Sequence, residues 1–101
     1  MILYNITVNV QKEVEQRWVQ WMKDTHIPEV MDTGFFIEFR FYRLLMEDSS
    51  GGTNFSIQFF VESMDKLNQY LENHAPRLQE DHQKQFKEQQ VSFRSILEEV
   101  I

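Results

Sequence analysis

Two hydrophobic periods take turns along this chain, and their order restricts the fold more than any single residue does. Ile2, Tyr4, Ile6, Val8 and Val10 share one side of residues 2–10, with Leu3, Asn5, Thr7 and Asn9 on the other. A period of two is a strand with one buried face. Val14, Trp18, Trp21 and Met22 then fall at i, i+4, i+7 and i+8, the stripe of an amphipathic helix. Pro28 predicts an end or kink near His26-Ile27, because the residue before proline avoids helical geometry. A short helical turn through Val30 and Met31 is expected next, closed by Gly34.

Alternation returns over residues 35–46. Phe35, Ile37, Phe39, Phe41, Arg43 and Leu45 stand opposite Phe36, Glu38, Arg40, Tyr42, Leu44 and Met46, a long run against a usual strand of about 5–6 residues. Ser49-Ser50-Gly51-Gly52 predicts a hairpin loop, and the returning strand over 53–62 puts Phe55, Ile57, Phe59 and Val61 on the core face. Ser63 is a natural N-cap with Asp65 in the first turn. Met64, Leu67, Tyr70 and Leu71 form the next helical stripe. His74-Ala75-Pro76 interrupts it, and Leu78, His82 and Phe86 resume it. Residues 91–100 alternate again, with Val91, Phe93 and Leu97 opposite Arg94, Ile96 and Glu98.

The order β-α-β-β-α-β predicts one α+β domain over residues 1–101, the ferredoxin-like arrangement of a four-stranded antiparallel sheet with helices on one face. His26-x-Pro28 and His74-x-Pro76 echo each other across the two halves, as pseudo-symmetry of that fold would produce.

Composition narrows the classes of function. The net charge is −6, from 10 basic and 16 acidic residues, spread evenly over both halves, so a phosphate-binding face and nucleic-acid partners are not expected. The topology is shared with the RNA recognition motif, but Tyr4, Phe55 and Phe59 fall on the helix-covered face and leave only Phe60 outward. Cysteine is absent, which removes disulfides, thiolate metal sites and cysteine nucleophiles. No apolar run reaches the ~18 residues of a membrane span, and the N-terminus lacks the features of a signal peptide. A cytoplasmic location is expected.

The sheet face left open by the helices is mixed. Asn5, Thr7, Asn9, Glu38, Arg40, Asn54, Ser56, Gln58, Arg94 and Glu98 are assigned to it, together with Leu3, Phe36, Tyr42, Leu44, Met46, Phe60 and Ile96. Large apolar groups rimmed by polar ones suggest an interface, here a homodimer through the open face. The segments ILYNITVNV, WVQWMKDTHIPEVMDTGFF, GGTNFSIQFFVES, HAPRLQEDH and VSFRSILEEV resemble, over essentially the whole chain, a family of uncharacterised bacterial proteins of about this length. The resemblance implies the fold of the dimeric α+β barrel proteins, a group that includes small monooxygenases, dehalogenation-pathway proteins and chlorite-dismutase-like haem proteins. It implies no particular reaction. His26-Ile27-Pro28 also resembles a short motif in some of those relatives.

Candidate site residues follow from chemistry and position. His26, at a helix end near the sheet rim, suits a general base or polar anchor in a pocket between helices and sheet. The competing reading is a cap on free helix carbonyls, and His74 occupies the equivalent place. Glu38, Arg40 and Tyr42 share one face of a strand, with Arg94 and Glu98 available on another, and could line a cavity where an arginine holds a carboxylate. Cross-strand ion pairs are the alternative. No metal site is expected from His26, His74 and His82, which lack ligand spacing. No cofactor is expected, and no Gly-rich phosphate loop precedes a helix. Trp18 and Trp21 read as core. The expected function is small-molecule binding or cofactor-independent catalysis in a pocket between helices and sheet, with catalytic residues unassigned. The alternative is a non-catalytic dimerisation or interaction module.

Overall fold

The structure, a computed structural model, describes residues 1–46 and 51–101; the Ser49-Ser50 part of the predicted hairpin loop lies outside them. Four strands form one sheet: β1 (Ile2–Val10), β2 (Glu38–Arg43), β3 (Thr53–Val61) and β4 (Gln90–Glu98). Their order is β2-β3-β1-β4, and every neighbouring pair is antiparallel. Four helical segments connect them: α1 (Glu15–Trp21), α2 (Ile27–Asp32), α3 (Met64–Asn73) and α4 (Ala75–Phe86). Two split βαβ units therefore interlock, the ferredoxin-like topology. No described helix is long and apolar enough to cross a membrane.

The core lies between the sheet and the helices. Val8, Ile57 and Phe59 of the sheet meet Trp18, Leu67, Leu78 and Phe86 of the helices, all at 2 % exposure or less. Each such side chain contributes about 1.5–3 kcal/mol by leaving water. Local signals place the elements as expected. The Ser63 hydroxyl caps α3 by accepting from Lys66 N. Pro28 and Pro76 sit in the first turns of α2 and α4, and at Pro76, which follows the break at His74, no hydrogen bond is lost. Gly34, at φ 82°, closes α2 with its N–H on the Met31 carbonyl.

Four expectations are corrected. The helix does not end at His26; it continues through a π-helical turn over Met22–His26 into α2. Pro28 lacks the N–H that would bond back into the preceding turn, and the helix absorbs this in the π-helical turn, so the expected irregularity falls near His26 without a helix end for it to cap. The run over residues 35–46 is a strand only over Glu38–Arg43. Phe36 precedes it, escapes its alternation and is buried against Tyr4 and Tyr70 instead of lying on the open face. Met64 is exposed at the start of α3.

The fourth correction matters most. Arg94 lies opposite Ile6, and Ile6 opposite Ile57. Gln90, Ser92, Arg94, Ile96 and Glu98 therefore share the helix-covered side of β4, while Val91, Phe93 and Leu97 occupy the open face. Arg94, Ile96 and Glu98 leave the open-face set. The 3-10 turn over Lys87–Gln89, pinned by Gln11 N on the Gln89 carbonyl, delivers β4 in this phase. Hydrophobicity misleads here because both faces of β4 carry apolar residues.

Candidate functional site

A group of rings closes the space between helices and sheet. Trp18 and Trp21 come from α1, His26 from the π-helical turn after it, and His82 and Phe86 from one stripe of α4. A π-turn adds one residue and so rotates the downstream chain by about 100° relative to a regular helix, and such turns are frequent at functional sites. The His82 ring lies 5.4 Å from His26 and 5.6 Å from Trp21, and Trp21 stacks on His26 at 5.1 Å.

Trp18 Nε1 donates to His82 Nε2 at 2.9 Å. An indole N–H only donates, so Nε2 is the unprotonated nitrogen and the ring proton sits on Nδ1. Burial depresses the pKa of His82 to about 3, with His26 and Arg94 adding to the effect. Burial likewise takes His26 down to about 4, reinforced by Arg94 and partly opposed by Asp81. Both imidazoles are neutral at pH 7. His26 Nδ1 is buried and has no hydrogen-bond partner.

Tyr4, on β1, faces this group. Burial raises its pKa, and the nearby Arg94 and Gln79 side chains partly oppose the rise. Tyr70 beside it is pushed up as well, by burial and by Tyr4. Both phenols are protonated at neutral pH. A cavity of about 30 Å³ lies among Tyr4, Met22, His26, Ile57, His82 and Arg94, room for roughly one water-sized molecule. Outside it, a cleft of about 600 Å³ runs between α4 and β4, past Pro76, Gln79, Gln83, Ser92 and Arg94. Gln79, His82 and Arg94 line both spaces and form the partition between them.

An amide chain braces the cleft. Gln83 Nε2 donates to the Lys87 carbonyl at 3.1 Å, and Gln90 Nε2 donates to Gln83 Oε1 at 3.0 Å. A carbonyl only accepts, so the orientation of both amides follows. Gln90 Oε1 is left buried without a partner.

Of the predicted site residues, the structure brings His26 and Arg94 together here. Glu38, Arg40 and Tyr42 lie on the opposite, open face. There Arg40 pairs with Glu38 at 3.2 Å and covers the Phe60 ring at 5.8 Å, so the predicted cluster with Arg94 does not form. An exposed pair of this kind contributes at most about 1 kcal/mol. His74 packs against Phe35 and Tyr70 and lines neither space. Sequence reasoning misses His82, Tyr4 and Gln79. The available signal is His82 itself, an ionisable residue midway between Leu78 and Phe86 on an apolar stripe. Among the described residues no group of three or more His, Asp or Glu could hold a metal ion.

The open face differs. Asn5 Nδ2 donates to Thr7 Oγ1 and Ser95 Oγ, Ser56 Oγ donates to Asn5 Oδ1, and Gln58 Nε2 donates to Ser56 Oγ. These polar groups satisfy one another across three strands, while Tyr42, Val91, Phe93 and Leu97 stand exposed around them.

Residues 1–100 match the family described as Domain of unknown function (DUF4286). The chain belongs to this family. No curated protein matches it. Among solved structures it is similar to an ethyl tert-butyl ether D (EthD) family protein from Bacillus halodurans C-125, with 16% identity and TM-score 0.70 over 99% of this chain and 100% of that one. A dimeric ferredoxin-like protein from an uncultured marine organism is similar at 10% identity and TM-score 0.72, covering 100% of this chain and 96% of that one. A mutant form of SnoaB, a cofactor-independent oxygenase from Streptomyces nogalater, is similar at 10% identity and TM-score 0.66, covering 99% of this chain and 94% of that one. At these identities the likeness is one of fold.

Proposed function

We propose that this DUF4286 member is a small-molecule binding protein whose ligand enters between α4 and β4 and reaches the His26–His82 cavity. One observation carries the reading: a buried His82 and a half-buried His26, both neutral, meet Tyr4 and Arg94 at the inner end of an open cleft, on the covered side of the sheet. Buried ionisable groups in a cleft cost stability and gather at functional sites. The chemistry such a site offers without a cofactor is proton transfer at a neutral imidazole, with the Tyr4 hydroxyl and the Arg94 guanidinium facing developing negative charge. The likeness to a cofactor-independent oxygenase supports this direction. The test is thermal stabilisation by a small-molecule library. Hits should be lost in His26→Phe and Arg94→Gln and retained in Arg40→Ala. Hits that survive both cleft variants would refute the site.

The open face favours a second role for the same molecule, homodimerisation. Val91 and Phe93 are 69% and 64% exposed on β4, with Leu97 on the same strand, an apolar area that a second copy would cover. Similarity to a protein described as dimeric supports it. Sedimentation at micromolar concentration should give the dimer mass; a monomer would refute this role.

A further inference from the structure

Among the described residues, Arg94 is the one cation lining both the cleft and the cavity. The protein carries six more negative than positive groups, and Arg40, Arg43 and Arg77 each pair with a carboxylate. Arg17 lies over the Phe86 ring and bonds Gln89. Among the described residues no carboxylate lies within 4.0 Å of Arg94. It faces the Tyr4 hydroxyl, a neutral group whose burial-raised pKa it partly lowers, although surface acids are abundant. The guanidinium stands where the cleft meets the cavity, so its charge faces the space a ligand would fill.

We infer that the ligand of this cleft is a small carboxylate held by Arg94, which deepens, and rests on, the binding role proposed for the cleft. A guanidinium presents parallel donors that match the two oxygens of a carboxylate. The neighbouring groups set the class more narrowly. His26 and His82 are neutral, Gln79 and Ser92 are uncharged, and the Glu80 carboxylate on the cleft wall is paired with Lys84, so Arg94 supplies the one positive charge available. That suits a monoanion and disfavours a phosphate dianion, which needs further cations or a nest of amides. The Tyr4 hydroxyl, protonated and lining the same cavity, is placed to share the anion. The cavity of about 30 Å³ behind Arg94 is too small for more than a few ligand atoms, so the body of the ligand lies in the outer cleft beside Gln79 and Gln83.

Calorimetric titration of the full chain with sodium benzoate, against benzamide as its neutral isostere, tests this. Benzoate should bind and benzamide should bind at least about 10-fold more weakly, the worth of a charge-assisted hydrogen bond. Arg94→Gln should remove the difference, Arg94→Lys should keep part of it, and raised salt should weaken benzoate alone. Arg94 is exposed, so the variants should retain wild-type circular dichroism and thermal midpoint. Benzamide binding as tightly as benzoate, or benzoate affinity unchanged in Arg94→Gln, overturns the carboxylate assignment and leaves the small-molecule reading standing. Binding of neither probe overturns both.

Discussion

The two faces of this sheet are made from the same strands, yet they spend their polar groups in opposite ways. On the open face, Asn5, Thr7, Ser56, Gln58 and Ser95 bond one another and Arg40 pairs with Glu38, which leaves Val91, Phe93 and Leu97 as exposed apolar surface. On the covered face most apolar residues are consumed by the core, although Phe39 and Ile96 stay exposed, and the inner end of the cleft is polar: an unpartnered His26 Nδ1, a neutral His82, and an Arg94 without a carboxylate. Residual valence differs accordingly. The open side has surplus hydrophobic area, which a protein surface satisfies, whereas the covered side has surplus hydrogen-bonding capacity, which a small polar molecule satisfies.

That contrast can be broken most forcefully at Trp18, which fills the core and donates to His82. Trp18→Ala should cost about 3–5 kcal/mol in urea unfolding, and a near-wild-type midpoint would remove it from the core. Acid should act next. His26 and His82 have folded pKa values depressed to about 4 and about 3, so below the unfolded value near 6.5 the unfolded chain binds more protons. Stability is then fully present above pH 6.5 and falls as pH drops toward the folded values, by about 2 kcal/mol per histidine at pH 5. His82→Gln should flatten that slope between pH 6.5 and 5; an unchanged slope would mean the histidines are not buried neutral.

Smaller effects separate the faces. Phe93→Glu should weaken dimerisation by about 10- to 100-fold, the worth of burying a large apolar side chain, while leaving ligand binding intact in sedimentation and calorimetry. Loss of binding in this variant would couple the two faces. Arg40→Ala should change stability by less than about 1 kcal/mol and leave binding untouched.

Much of the fold is legible because period is a direct record of burial. The β1 alternation, the Ser63 cap, the two proline starts and the β3 core set all read correctly. Phase is not legible in the same way. On β4 both sides carry apolar residues, so Val91 and Phe93 resemble a core pair, and only the register Ile6↔Arg94 tells which way they face. The site suffers from the same ambiguity. Alternation alone assigns Arg94 to the wrong face and groups it with Arg40, and His82 passes as one more member of the stripe Leu78–Phe86. His26 is identified by position, yet its geometry depends on a π-turn, which no residue pattern announces. Phe36 shows the converse, an alternating run whose first residues never enter the strand.

The most direct test of which face receives the ligand is a nitrogen–proton correlation spectrum of the labelled protein titrated with benzoate. Shifts should concentrate at Gln79, Gln83, Ser92 and Arg94, with Asn5, Gln58 and Ser95 unmoved. Shifts centred on Asn5, Ser56 and Ser95 instead would contradict a ligand site on the covered side and place the binding surface on the open side of the sheet.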